Sequence, residues 1–574
     1  MKHKRLTLAF ISMFMLYVLL SFRLYYLQIW KRAELSYKAK KQWMKVSHTK
    51  PLKSSIYDRK GRLLAFSSYA DSFFVNPKKL ENVKSTMKKV CEILELDEAQ
   101  YINSVRDSTK SFIWLKRMVE QSKAEKLKLE NLKGIGCIKE RKRYYPEDGL
   151  ASPLLGIVGL DDKPLSGIEL TVSNIFKTHG EEKVFGRDAK GRMINWDGAI
   201  SDEMSNGSVY LTIDKTIQYI AEKELSSVFE STKSKWGCAI VQDISTGEIL
   251  AMAMCPKFSN NSPQDIQQVS QLHNLAIGQV FEPGSTFKIV TAAAALEEKI
   301  CDMNTMFNCH NGKYTIMANT IHDHEPRGML NFKQVFEYSS NIGVAQIGEL
   351  VGKKKTYYYA RAFGFGNRTG IKLPGESSGI LRKPKYWSKI SLPMISFGQE
   401  VGVTSIQVLC AYSAIANQGV LLEPKIIKRV VDEKNNILWE SNPTKVRNII
   451  SKATAENLKK ILEGVIKTGT GTMAQVSGYR IAGKTGTAQK FDKELDRYSD
   501  RNYVASFCGF LPSSRPKIAI IVVLDEPKTS YWGGVIAAPV FSRIARQVVS
   551  YMNILPDEVD YVDNVIIKEK PDKT

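Results

Sequence analysis

The sequence predicts an α+β chain with a membrane-spanning helix, an elongated α/β pedestal, and a larger domain whose antiparallel sheet packs against helices. Three observations predict it. Residues Leu6 to Phe22 carry no charge. Residues 31–206 alternate short strand-like pieces with charged helical ones and hold no dense cluster of reactive side chains. From Val209 onward, strand-like segments at both ends enclose a helical middle, the pattern of a sheet closed by both ends of its domain.

The anchor comes first. After Phe22 the apolar character continues through Leu24 to Trp30, interrupted by Arg23, and the whole is long enough for a bilayer, which needs about 20 residues. Arg23 can snorkel to the interface, where Tyr25, Tyr26 and Trp30 suit an aromatic belt. No small-x-small cleavage site follows, so the segment reads as an uncleaved anchor. No later segment is apolar enough to return the chain. A single pass through the cell membrane is therefore expected, with the short tail inside and the bulk of the chain on the extracytoplasmic side.

At 574 residues the chain is too long for one ordinary domain, and 43% hydrophobic with 25% charged is a folded composition. The expected divisions are a tail and anchor at 1–30, a pedestal at 31–206, a larger domain at 207–553 and a tail at 554–574. The net charge of +23 is spread along the chain with no zinc finger or other nucleic-acid signature, so nucleic acid is not an expected partner. An ectodomain beside an anionic membrane or wall suits that charge better. Eight cysteines occur singly, without C-x-x-C. Cys301 and Cys309 leave a disulfide open.

In the pedestal, Ser122 to Lys133 reads as helix, and Tyr57-Asp58-Arg59 sits in a turn between apolar pieces. Further on, Val209 to Asp214 reads as a strand and Thr216 to Phe229 as an amphipathic helix. Trp236 to Asp243 and Glu248 to Met254 form a hairpin about Ser245-Thr246-Gly247. Helices are expected from Ser285 to about Gly364, and strands again after Gly478.

The chemistry centres on Glu282-Pro283-Gly284-Ser285-Thr286-Phe287-Lys288 and the Ala-rich run behind it. The Pro-Gly pair breaks what precedes, so Ser285 should open a buried helix. Lys288, three residues on, should share its face and reach the serine hydroxyl as a base. The same S-x-x-K spacing occurs at Ser47, Ser85 and Ser514, but beside prolines or in a charged amphipathic segment. Ser339-Ser340-Asn341 follows a helical run and can point both Ser339 and Asn341 into a cleft. Ser259-Asn260-Asn261 repeats the pattern in a polar turn. Lys484-Thr485-Gly486-Thr487 follows a strand-like segment, where Gly486 would let a ligand backbone approach. Its copy, Lys467 to Thr470, ends a helix and reads as capping.

The order S-x-x-K, S-x-N, K-T-G is the signature of penicillin-binding proteins and serine β-lactamases. The chain resembles the class B penicillin-binding proteins, both division-type and sporulation-type, along nearly its whole length. Arg23 to Gln28, Tyr57-Asp58-Arg59, Gly167 to Leu170, Leu211 to Asp214 and Ile481 to Gln489 all carry the likeness. Lys53-Ser54 departs from it, standing where the family usually has Arg-Gly.

The resemblance implies a penicillin-binding transpeptidase domain that cross-links peptidoglycan stem peptides through an acyl-enzyme on Ser285 and is acylated by β-lactam antibiotics. It implies Lys288 as base, its proton affinity lowered by burial and by Lys484, and Ser339 as proton relay. Asn341, Lys484, Thr485, Gly486 and Thr487 would bind substrate, with the backbone N–H groups of Ser285 and Thr487 as oxyanion hole. It implies no cofactor and no metal. A separate membrane glycan polymerase of the SEDS type is the implied partner, because residues 31–206 lack the paired carboxylates of glycan-polymerising relatives. Three other functions fit the same motifs: a membrane-anchored penicillin sensor, a β-lactamase, and a non-catalytic cell-wall scaffold. A Ser-His-Asp site lacks its G-x-S-x-G elbow, and Cys301, Cys309, His310, His322 and His324 lack the compact spacing of a zinc site.

Overall fold

The computed structural model describes residues 2–43, 53–176, 186–187, 193–194 and 207–558, apart from 107, 264, 265, 267, 317, 318, 493 and 495. The Ser47 motif, most of 177–206 and the tail beyond Glu558 lie outside the described residues. Two compact units emerge, Met1–Leu52 with Phe176–Asn206, and Lys53–Ile175 with Gly207–Thr574.

In the first unit, the helix Lys2–Tyr25 runs into a π-helical turn, Tyr26–Trp30. The apolar stretch Leu6–Trp30 is 25 residues long with mean hydropathy 1.9, and none of it is buried. By length and composition it is able to cross a bilayer.

The second unit contains two larger sheets. In the seven-stranded one, Leu63–Val75 pairs antiparallel with Ile113–Val119 and Ile135–Tyr144, and with Ser55–Tyr57 at its other end. Helices Val83–Leu94, Glu98–Arg106 and Gln121–Leu129 bury Val90, Leu94, Val105 and Leu127 against Phe73 and Leu115. Ser55–Tyr57 then pairs in parallel with Ser208–Leu211, which pairs antiparallel with Ile427–Val431. The expected strand at Val209 therefore exists, but it continues the pedestal sheet instead of joining the hairpin that follows it. A buried carboxylate fixes the junction: Asp58 accepts from the backbone N–H groups of Lys60, Arg62 and Lys215, and Arg62 bridges it to Asp214. Asp214 in turn caps the helix Lys215–Thr232. Lys53, the departure from the family pattern, pairs with Asp162 at 3.7 Å.

The five-stranded antiparallel sheet runs Ala482–Asp492, Arg497–Leu511, Ile518–Asp525, Trp236–Asp243, Ile249–Cys255. The hairpin from the start of the domain thus pairs with strands from its end. Side chains alternate across a strand, so Val241, Ile520 and Phe507 meet the helices Lys215–Thr232 and Gly533–Tyr551. Cys238, one residue out of phase with Val241, faces away and bonds Ser405 at the head of the fully buried helix Ser405–Ala416. Both faces are covered, which is why these strands read as continuous apolar runs.

The stretch from Ser285 to Gly364 is not all helical. Met306–Asn308 pairs with Met329–Asn331, and Lys313–Ile316 with Asn319–His322, before the helices Phe332–Glu337, Asn341–Val351 and Lys353–Ala362. The inner hairpin is exposed on one face and partly covered on the other. Its strands do alternate, with Tyr314, Ile316 and Ile321 less exposed than Lys313, Thr315, Thr320 and His322, but each is only four residues long.

Candidate active site

Ser285 lies in a 3₁₀ turn, Gly284–Phe287, one turn ahead of the α-helix Lys288–Glu297. Three buried contacts fix that turn. Gly284 has a positive φ of 52° and donates its N–H to the carbonyl of Gly398. The hydroxyl of Tyr412, fully buried, donates to the carbonyl of Thr286 at 3.0 Å. Glu282 accepts from the backbone of Glu400 and the hydroxyl of Tyr498.

Lys288 is 1% exposed. Its Nζ donates to the Ser339 carbonyl at 2.6 Å, to the Ser339 hydroxyl at 3.2 Å and to Asn341 Oδ1 at 2.8 Å. Ser339 Oγ in turn donates to Ser285 Oγ at 2.9 Å. The sequence leads one to expect a direct link from Lys288 to Ser285, but the connection runs through Ser339. Lys288 stands at the head of the helix, and all three of its amine's bonds go to the second motif.

Ser339 itself is left-handed, with φ 59°, a conformation that costs a non-glycine residue about 1–3 kcal/mol. The residues after it are firmly held. Ser340 caps the helix Asn341–Val351 by accepting from Gly343 N–H, and the Asp323 carboxylate accepts from Ser340 Oγ and from the N–H groups of Asn341 and Ile342. Hydrogen bonds to a charged group contribute about 1.5–3 kcal/mol each, enough to offset the strain.

Lys484 is 2% exposed on Ala482–Asp492, the edge strand of the five-stranded sheet. Its Nζ lies 3.5 Å from the hydroxyls of Thr485 and Thr470, which bond each other at 2.7 Å. Thr487 Oγ1 accepts from Gly533 N–H at 3.1 Å. A Cβ added to Gly486 would stand 2.3 Å from Ser506 Oγ, 2.9 Å from Thr286 Cγ2 and 3.0 Å from the Pro283 carbonyl. The close approach that Gly486 permits is thus to the nucleophile turn, not to open space for a ligand. A Cβ on Gly284 would meet the Thr487 carbonyl at 3.3 Å. Since N–H and C=O of one strand residue point to the same edge, the Thr487 N–H faces the Ser285 side as well.

Burial pulls the Lys288 amine down to about 7, with Asp323 and the Cys309 thiol opposing the shift. Lys484 is held well below the ordinary lysine range, first by burial and then by Lys288. Burial also pushes the Glu282 carboxyl up to about 7.

Residues 237–546 match the pattern of the penicillin binding protein transpeptidase domain, and residues 48–208 that of the penicillin-binding protein dimerisation domain. Stage V sporulation protein D of Bacillus subtilis (strain 168) is 31% identical over 560 residues, covering 96% of this chain and 86% of that protein. The chain belongs to the class B penicillin-binding proteins. FtsI of Escherichia coli (strain K12), a peptidoglycan D,D-transpeptidase, is 30% identical over 522 residues, 90% of this chain and 86% of its own. Among solved structures, penicillin binding protein 3 of Mycobacterium tuberculosis complexed with aztreonam has a TM-score of 0.68 at 26% identity, over 88% of this chain and 97% of that one.

Against this family frame, the structure gathers Ser285, Lys288, Ser339 and Asn341 through direct hydrogen bonds and sets the Lys484–Thr487 edge alongside their turn. The decoys stay apart. Ser85 and Lys88 are exposed on Val83–Leu94, while Asn260 is buried and bonds the carbonyls of Ser152 and Gly156. Lys467 ends its helix exposed, as capping would have it. Thr470 from the same copy, however, reaches the Lys484 pocket, and nothing local in Thr468-Gly469-Thr470-Gly471 signals it. Asp323 and Asp58 were also missed as anchors, because single carboxylates in turns carry no spacing. Cys301 and Cys309 are both free thiols.

Proposed function

We propose that this chain is a membrane-anchored serine D,D-transpeptidase that cross-links peptidoglycan stem peptides and is blocked by β-lactams. The observation that carries the reading is the continuous Ser285–Ser339–Lys288 connection, ending in an amine that burial brings to about 7. A neutral amine accepts a proton, and Ser339 is placed to pass it.

In the first half-reaction Ser285 Oγ attacks the carbonyl of the penultimate D-alanine, and its proton moves through Ser339 to Lys288. The tetrahedral oxyanion sits between the N–H groups of Ser285 and Thr487, where one lost donor costs about 2.7–4 kcal/mol. The C–N bond then breaks, and the proton returns to the departing D-alanine amine. In the second half an amine from a neighbouring stem peptide attacks the acyl-enzyme and gives a proton to Lys288, which returns it through Ser339 to the departing Ser285 Oγ. Lys484, Thr485 and Thr487 hold the terminal carboxylate, whose charge favours the protonated form of Lys484. Asn341 orients the substrate backbone, and Gly486 lets the substrate-binding strand seat against the nucleophile.

The catalytic domain, from Gly207 to about Asn553, works on the extracytoplasmic side, held by the Leu6–Trp30 span. Residues 31–206 act as the pedestal and meet a separate SEDS-type glycan polymerase in the membrane. The test is covalent labelling: a fluorescent penicillin labels the full-length protein in membranes, and Ser285→Ala does not label. Labelling of that variant at the rate of the parent would overturn the mechanism, and hydrolysis of the adduct within seconds would replace it with that of a β-lactamase.

A further inference from the structure

We infer that Asp323, at the end of the Asn319–His322 strand, is the positioning residue that sets Ser339 and Asn341 against Lys288 for acylation. The inference rests on the transpeptidase reading above and extends it to a residue outside the three motifs.

The first four N–H groups of a helix have no partner within it. At the helix Asn341–Val351 all four are accounted for. Asp323 Oδ1 accepts from Asn341 N at 2.6 Å and Ile342 N at 3.0 Å, Ser340 Oγ accepts from Gly343 N at 3.0 Å, and the Val335 carbonyl accepts from the N-cap Ser340 N at 2.9 Å. Asp323 Oδ2 also receives the Ser340 hydroxyl at 2.5 Å. One carboxylate therefore ties down three consecutive residues immediately after the left-handed Ser339.

The segment carrying Asp323 also fixes which way the Asn341 amide faces. Asn341 Nδ2 donates to the His322 carbonyl at 3.0 Å, which turns Oδ1 toward Lys288 Nζ at 2.8 Å. On its other side His324 packs on Trp532, ring centroids 4.2 Å apart. Trp532 precedes Gly533, the donor to Thr487. Residues 322–324 thus touch the S-x-N wall of the cleft and, through Trp532, the K-T-G wall. Sub-ångström control of Ser339 matters because its carbonyl and its hydroxyl both contact the base.

The carboxylate also acts through charge. Lys288 faces Asp323 and the Cys309 thiol from the hairpin side and Lys484 from the edge strand. Cys309 sits behind Ser340 at 3.3 Å, and the exposed His322 and His324 flank Asp323. Glu282 is bonded by the Glu400 backbone and the Tyr498 hydroxyl. A negative Asp323 favours the protonated amine, so its removal lowers the proton affinity of Lys288.

The test measures the second-order rate of acylation by a fluorescent penicillin against pH, in the full-length protein, for Asp323→Asn and Ser340→Ala, with thermal unfolding alongside. Asp323→Asn should acylate about tenfold or more slowly with the acid limb of its profile moved to lower pH. Ser340→Ala keeps the carboxylate, so it should slow acylation and leave the limb in place. A parental rate in Asp323→Asn, or a slowed rate with an unmoved limb, would overturn the inference. Should Asp323→Asn fail to fold, a parental rate in Ser340→Ala would overturn it instead. Failure of the parent itself to label would reject the transpeptidase reading, a separate result.

Discussion

Lys288 Nζ meets the carbonyl oxygen of Ser339 at 2.6 Å, so the buried amine is held by the backbone of the second motif and not by the serine three residues before it. That contact decides how protons move and which substitutions matter.

Removing the Ser339 hydroxyl breaks the connection while leaving its carbonyl on Lys288. Proton relay by a positioned group is worth about 10²–10⁴-fold, so Ser339→Ala should slow acylation by about 10²-fold or more. Stopped-flow acylation with a chromogenic β-lactam reads this directly. A parental rate would mean the proton passes straight from Ser285 to Lys288.

Acylation should rise with pH through about 7, where burial sets Lys288. The sign follows from the role: the neutral amine is the active form, so activity is lost as the pH falls and the amine protonates. Glu282 is also raised to about 7 by burial, and Glu282→Gln separates the two. That variant should keep the acid limb, and its disappearance would assign the limb to Glu282.

Gly398 has φ 90°, and a Cβ there would stand 2.1 Å from the Gly284 carbonyl oxygen. Gly364, at φ 101°, has its nearest neighbour at 3.9 Å, the Leu421 side chain. Both alanine variants carry backbone strain, but Gly398→Ala must also displace the nucleophile turn, an added loss of about 1–3 kcal/mol. Thermal unfolding and penicillin labelling of the pair should therefore diverge, with Gly398→Ala lower in both.

In the pedestal, Arg143 and Glu169 pair at 2.7 Å with side chains 3% and 1% exposed. Breaking a buried pair by removing one partner costs about 3–5 kcal/mol. Arg143→Met should thus lower the unfolding midpoint more than the double variant with Glu169→Leu does. A double-variant loss equal to the sum of the Arg143→Met and Glu169→Leu losses, measured by calorimetry, would show that the pair is not coupled.

The features legible in the sequence were those written in residue chemistry or strong hydrophobic pattern. Ser285, Lys288, Asn341 and Lys484 stood out by type and spacing, and Trp236 to Met254 and the Leu6 run by continuous apolar character. Relations set by tertiary packing were not legible. Asp323 reaches the helix at Asn341 from the end of a short hairpin, where a lone carboxylate carries no spacing. Thr470 reaches Lys484 from a loop indistinguishable from capping. Gly486 looked open to ligand because sequence does not show that Pro283 and Thr286 lie beneath it. The Val209 strand was visible, but its partners at Ser55 and Ile427 were fixed by the Asp58–Arg62–Asp214 bridge, which joins residues distant along the chain.

The most direct measurement is peptide mass mapping of the full-length protein after brief exposure to penicillin. The expected result is one penicilloyl adduct, on the peptide containing Ser285 and on that hydroxyl. An adduct on any other residue, or none on a folded protein, would contradict the assignment of Ser285 as the nucleophile.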